Sequence, residues 1–278
     1  MKDQKKPIVI MNWSMRQNHI KEAKAFAKQI SEHKNSDIDV VILPSMGTMY
    51  PVYEALRNST VQLGTQNIAP IEVGELSGEF SIESLIDMKG TFVELGHWER
   101  RKFFNETDSV INKKVKLALK KDVNAILCVG EFEKKDADNV IDVLKYPNYE
   151  MELEHELFLR IFNGLYCVDE KDLDKVVIAY TPAWAVGKNK AAGAPHIKMA
   201  TSLIRKALAR VFGEKASEKV RVIYGGSVSP ENSITMIKIA DLDGVLLGRF
   251  GSDSSRLQQI IDVTRDLRIE LDNKKRRL

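Results

Sequence analysis

Cysteine is nearly absent. The 278-residue chain has two, Cys128 in an apolar run and Cys167 near a helix end, too few for a disulfide framework or a cysteine metal site. Long apolar runs are missing as well. No stretch approaches the roughly 20 apolar residues of a membrane span, and Met1 to Pro7 lack the apolar core of a secretion signal. A cytoplasmic protein without membrane association is expected. Charge of one sign is lacking too, since 42 basic and 39 acidic residues are scattered along the chain and leave a net +3. Such a balance implies no strong field for nucleic acid and only a mild preference for small anions. No Pro/Gly/Ser-rich linker divides residues 1–278, which reads as a single domain.

With 44% hydrophobic residues, the chain can bury a substantial core. Eight short runs rich in Val, Ile and Leu recur at 7–12, 39–44, 61–66, 91–96, 123–130, 175–181, 220–225 and 244–248. Between them lie amphipathic stretches such as 18–33, 109–121, 195–212 and 253–271, with apolar residues near helical spacing. This alternation belongs to a parallel sheet wrapped by helices. Eight βα units predict an α/β protein closed as a (β/α)₈ barrel; an open doubly wound sheet has the same periodicity. The charged segment 133–150 reads as a surface insertion. The basic end 273–278 reads as solvated helix-end charge or an interaction tail.

In a barrel, chemistry gathers where strands end and loops converge on the axis. Polar and glycine residues concentrate there: Asn12, Gln66-Asn67, His97, Thr181, Gly225-Gly226-Ser227 and Gly248. Tyr224-Gly225-Gly226-Ser227 before a helix near Pro230, with Gly248 in the next loop, would turn backbone N–H groups toward an anion such as phosphate. A glycine pair can also serve only to turn the chain. His97 sits where a strand end meets a helix start, which favours a neutral imidazole able to donate to a carbonyl. A structural histidine fits the same position.

The ordered blocks Asn12-Trp13-x-Met15, Gln66-Asn67, Ser77-Gly78-Glu79, Leu95-Gly96-His97-x-Glu99-Arg100-Arg101, Cys128-Val129-Gly130-Glu131, Pro182-Ala183-Trp184-Ala185-Val186-Gly187 and Tyr224-Gly225-Gly226-Ser227 resemble those of the triosephosphate isomerase family across nearly the whole chain. The resemblance implies a (β/α)₈ barrel, a small phosphorylated sugar as ligand, no metal or cofactor, and a homodimer formed through the loop 66–79. It makes His97 the electrophile and Asn12 a substrate-site residue. Gly187, Ser227 and Gly248 match positions that offer backbone donors to phosphate. Two positions depart. The lysine expected after Asn12-Trp13 is Ser14, and the glutamate expected between Tyr180 and Pro182 is Thr181. Trp98 replaces a serine, and Arg249 replaces the second glycine after strand eight. Arg249 can bond to phosphate or another acidic group, or else point to solvent or fill the phosphate site itself.

Aldose–ketose isomerisation needs a base to carry a proton between adjacent carbons. Threonine is no such base near neutral pH. Weak or absent triosephosphate isomerisation is therefore expected, with the phosphate site retained. Alternatives are an isomerase with a different base, for which Glu99 is the nearest candidate, and a non-catalytic protein-binding barrel.

Overall fold

A computed structural model describes residues 5–32, 36–133, 148–187, 191–249 and 253–275. Most of segment 133–150, the loop tip 188–190 and the last basic residues 276–278 lie outside the described residues.

The eight apolar runs form eight strands: β1 Ile8–Asn12, β2 Asp39–Leu43, β3 Gln62–Thr65, β4 Phe92–Leu95, β5 Asn124–Val129, β6 Val176–Tyr180, β7 Arg221–Gly225 and β8 Gly244–Leu247. They are joined in sequence order into a closed parallel barrel. Pairing of Ile8 with Gly244 joins the last strand to the first, which eliminates the open doubly wound sheet. Glycine is needed at that seam, because a Cβ on Gly244 would lie 1.8 Å from the Ile8 carbonyl oxygen.

Among the described residues the helices are α1 Ile20–Ser31, α2 Met49–Leu56, α3 Ile82–Asp87, α4 Trp98–Phe103, α5 Asp108–Lys120, α6 Tyr149–Gly164, α7 Ala194–Phe212, α8 Glu214–Ser217, α9 Pro230–Ala240 and α10 Ser254–Lys275. Their starts follow local chemistry. Ser81 accepts from the Glu83 N–H before α3, Thr107 accepts from Val110 before α5, and Ser229 with Asn232 closes a reciprocal box before α9. Buried positions repeat at helical spacing, as in Ala23, Phe26, Ala27 and Ile30 of α1 and Ile111, Val115, Ala118 and Leu119 of α5, so these helices lay an apolar stripe on the barrel.

Strand alternation separates two apolar layers. Ile8 and Ile10 point inward with Leu43, Phe92, Ile126, Cys128, Val177 and Ala179, while Val9 and Met11 face the helices. The same parity places Asn12, Glu94, Cys128 and Thr181 on the inner side, toward the C-terminal mouth. At the opposite end, the buried Asp243 carboxylate before β8 accepts from the Val222 N–H (2.8 Å) and from Arg205 (2.6 Å), with Lys5 at 3.3 Å and Arg268 at 3.4 Å.

Candidate functional site at the barrel mouth

Four inward side chains form a buried polar floor. Asn12 Nδ2 donates to Glu94 Oε2, and the Cys128 thiol donates to Glu94 Oε1 at 3.3 Å. The Thr181 side chain acts on the same thiol, lowering its pKa against the effect of burial. The main chain of Thr181 is fixed by its N–H donating to the Val129 carbonyl at 2.7 Å. The packing leaves no room for slack here, since a Cβ on Gly225 would come within 2.9 Å of Thr181 Cγ2. Burial pushes the Glu94 carboxyl up to about 7, with the bonds from Cys128 and Asn12 opposing the shift and Glu99 adding to it. Burial likewise holds the Cys128 thiol protonated.

The rim begins one turn above. Ser14 has φ of +49°, a left-handed conformation for a residue with a side chain, at a cost on the order of 1–3 kcal/mol. Its surroundings enforce it. Asn12 Oδ1 accepts from the Ser14 N–H at 2.7 Å, and the Ser14 carbonyl accepts from Ser45 Oγ at 2.8 Å and Gln66 Nε2 at 2.9 Å. The turn, closed by Arg16 N–H donating to the Trp13 carbonyl, brings the Arg16 side chain back over Ser14. Arg16 Nη2 donates to Ser14 Oγ at 3.2 Å and lies 3.4 Å from where a Cβ on Gly248 would stand. Arg16 thus spans the loops after β1 and β8. Desolvation lowers the pKa of its guanidinium, Glu99 pulls it back up, and Arg249 lowers it again. Arg249 itself is exposed.

His97 caps α4. Its Nδ1 accepts the Glu99 backbone N–H at 3.4 Å, which leaves the ring proton on Nε2 as a donor. Burial pushes its pKa down to about 4, so the ring is neutral at physiological pH. Glu99 Oε2 stands 3.5 Å from the same Nδ1, and partial burial raises the Glu99 pKa against the pull of Arg16. Trp98 packs on Phe103 and beside His97, at ring separations of 5.8 and 6.1 Å.

The loop after β6 is anchored from below. Glu131 accepts from Tyr180 OH at 3.0 Å and from Trp184 Nε1 at 2.7 Å. His196 Nε2 lies 2.7 Å from the same Tyr180 oxygen. Ser227 Oγ donates to the Ala185 carbonyl at 3.0 Å, and the Ala192 N–H donates to Tyr224 OH at 3.0 Å, tying this loop to the end of β7. Gly187 has φ of +70° in its exposed tip.

The structure therefore brings Asn12, Ser14, His97, Glu99, Thr181, Ser227, Gly248 and Arg249 to one end of the barrel, with Gly187 in the overlying loop. Two further residues there, Glu94 and Arg16, escaped the motif-based reading. A signal existed for the first: Glu94 is the one charged residue in the run 91–96. A cleft of about 340 Å³ between Tyr53, Arg57, Gln62, Lys89 and Thr91 lies at the other end of the strands, away from this cluster. Among the described residues no group of three or more His, Cys, Asp and Glu side chains is arranged to hold a metal, and no helix is long and apolar enough to cross a membrane.

A closed eight-stranded barrel whose C-terminal mouth gathers a neutral histidine, an asparagine and glycine-rich loop ends defines the class: a (β/α)₈-barrel protein with a polar site built on its strand ends. Sequence comparison gives the family. The triosephosphate isomerase family profile matches residues 7–264. A triosephosphate isomerase of Treponema denticola is 40% identical over 249 residues, covering 89% of this chain and 94% of the relative. A probable triosephosphate isomerase 2 of Listeria monocytogenes is 36% identical over 228 residues, covering 82% and 84%. A triosephosphate isomerase of Alkaliphilus oremlandii is 36% identical over 247 residues, covering 88% and 94%. The chain belongs to the triosephosphate isomerase family.

Proposed function

We propose that this barrel binds a small phosphorylated sugar at its mouth and that triosephosphate isomerisation there is weak or absent. One observation carries the reading. Thr181 stands at the end of β6 in a neutral setting, its Oγ1 donating to the Val129 carbonyl at 3.5 Å. No carboxylate occupies that position, and the lysine implied after Asn12-Trp13 is Ser14. Loss of a general base costs about 10²–10⁴-fold and loss of a stabilising donor about 10²–10³-fold, without strict additivity. The binding elements remain: neutral His97 with Nε2–H to donate, Asn12, and the loop ends at Gly187, Ser227 and Gly248 leading into α9.

The reading is tested by calorimetric titration with dihydroxyacetone phosphate, followed by turnover of Ser14→Lys/Thr181→Glu. Saturable binding by the natural protein and a rise of at least 100-fold in turnover by the double variant are expected. Absence of binding would sink it, and an unchanged rate in the variant would show that these positions do not limit chemistry.

A second reading rests on Glu99, whose carboxylate stands beside His97 with a raised pKa. In that case Glu99 is a substitute base, and Glu99→Gln abolishes whatever turnover the natural protein shows. The inferred setting is cytoplasmic, with neither nucleic acid nor membrane as partner and no cofactor. The loop 66–79 supports a homodimer, because it exposes Ile71, Val73 and Leu76. Sedimentation of Val73→Asp as a monomer against a dimeric natural protein is the expected result.

A further inference from the structure

The mouth has changed its charge balance as well as its chemistry. Relative to what the family resemblance implies, an acidic side chain is missing at Thr181 and a lysine at Ser14, while Arg249 is added. Arg16 returns a cation to the vacated place. Its Nη2 donates to Ser14 Oγ at 3.2 Å and lies against Gly248, and among the described residues it forms no ion pair with a carboxylate. Glu99 raises and Arg249 lowers the pKa of its guanidinium, so both act on it across the mouth. A guanidinium offers five N–H donors in a planar fork suited to carboxylate and phosphate; among the described residues one of its nitrogens, Nη2, is seen to donate, to Ser14 Oγ. Two like charges facing one opening repel each other, and an anion seated near both relieves that repulsion.

The neutral Thr181 matters equally. A carboxylate there would repel a second anionic group on a ligand, and threonine presents a hydroxyl instead. In the floor below, burial pushes the Glu94 carboxyl up to about 7, so near neutrality it carries part of a negative charge rather than a full one.

We infer that the preferred ligand is a small phosphorylated hydroxy acid, with its phosphate at the loop ends after β7 and β8 and its carboxylate on the Arg16 guanidinium. This deepens the proposed sugar-phosphate site and rests on it. Arg16 is then a specificity-determining residue that reads the carboxylate.

The experiment compares two three-carbon ligands with the same phosphate group. Dissociation constants for 3-phosphoglycerate and dihydroxyacetone phosphate are measured by calorimetry at fixed pH 7.5 and fixed ionic strength, on the full chain and on Arg16→Gln, Arg16→Lys and Thr181→Glu. At least tenfold tighter binding of the acid is expected. Arg16→Gln reduces that preference at least fivefold, Arg16→Lys less, and Thr181→Glu also reduces it. Equal or tighter binding of dihydroxyacetone phosphate, or an acid preference that survives Arg16→Gln undiminished, overturns the inference and leaves the sugar-phosphate site standing. Failure of both ligands to bind overturns the site and the inference together. Circular dichroism of each variant separates loss of binding from loss of fold.

Discussion

Two carboxyl groups, each 1% exposed, sit at opposite ends of the barrel and have opposite fates. Burial raises the pKa of both. At the N-terminal end, Lys5, Arg205, Arg268 and the Val222 N–H overcome it and hold Asp243 below the usual carboxylate range. At the mouth, Glu94 has the Cys128 thiol and the Asn12 amide as its donors among the described residues, and burial prevails. The partners decide the charge. A fully countercharged carboxylate stabilises the closing strand, whereas an incompletely countered one stores destabilisation where ligands enter, the division of labour expected between the two ends of such a barrel.

The largest effect expected on breaking this comparison is at Asp243. Asp243→Ala removes the anion that Lys5 and Arg205 share, leaves Arg268 with Asp241, and costs about 3–5 kcal/mol, read as a lower urea midpoint. Its pKa is depressed in the fold, so its contribution is present above the unfolded value and lost as pH falls through the folded one. The sign at Glu94 is reversed. Its folded pKa is raised, so the protein keeps full stability below about 4.5 and loses it as pH climbs through about 7. Glu94→Gln therefore stabilises by about 3 kcal/mol at pH 8 and changes little at pH 4.5. Urea melts at the two pH values check it; destabilisation at pH 8 would mean that the ionised carboxylate is a net stabiliser of the mouth. The smallest effect is spectroscopic. With a pKa of about 4, His97 remains neutral, and its ring resonances should stay flat from pH 5.5 to 8 in an NMR titration.

The barrel was legible because every strand is buried on both faces and reads as a compact apolar run ending in polar or glycine residues. Strand ends differed from expectation by only a residue or two: 175–181, for example, becomes Val176–Tyr180. Asn12, His97, Thr181 and Ser227 were legible because they lie in ordered motifs at those ends. Glu94 was readable in principle, since a charge in the middle of a barrel strand has no solvent face to turn toward. Arg16 was not. Its placement depends on the left-handed backbone at Ser14 and the turn that follows, and neither leaves a periodic signal. The role of Arg249 also depends on neighbours far apart in sequence, because its charge acts on Arg16 from the loop after β8.

The most direct test of the account follows dihydroxyacetone phosphate in D₂O by NMR, using protein from a host without its own triosephosphate isomerase and His97→Ala as control. The account predicts ligand line broadening, with isomerisation and deuterium exchange no faster than in the control. Rapid exchange that requires His97 would contradict it, and would mean that a base other than residue 181 carries the proton.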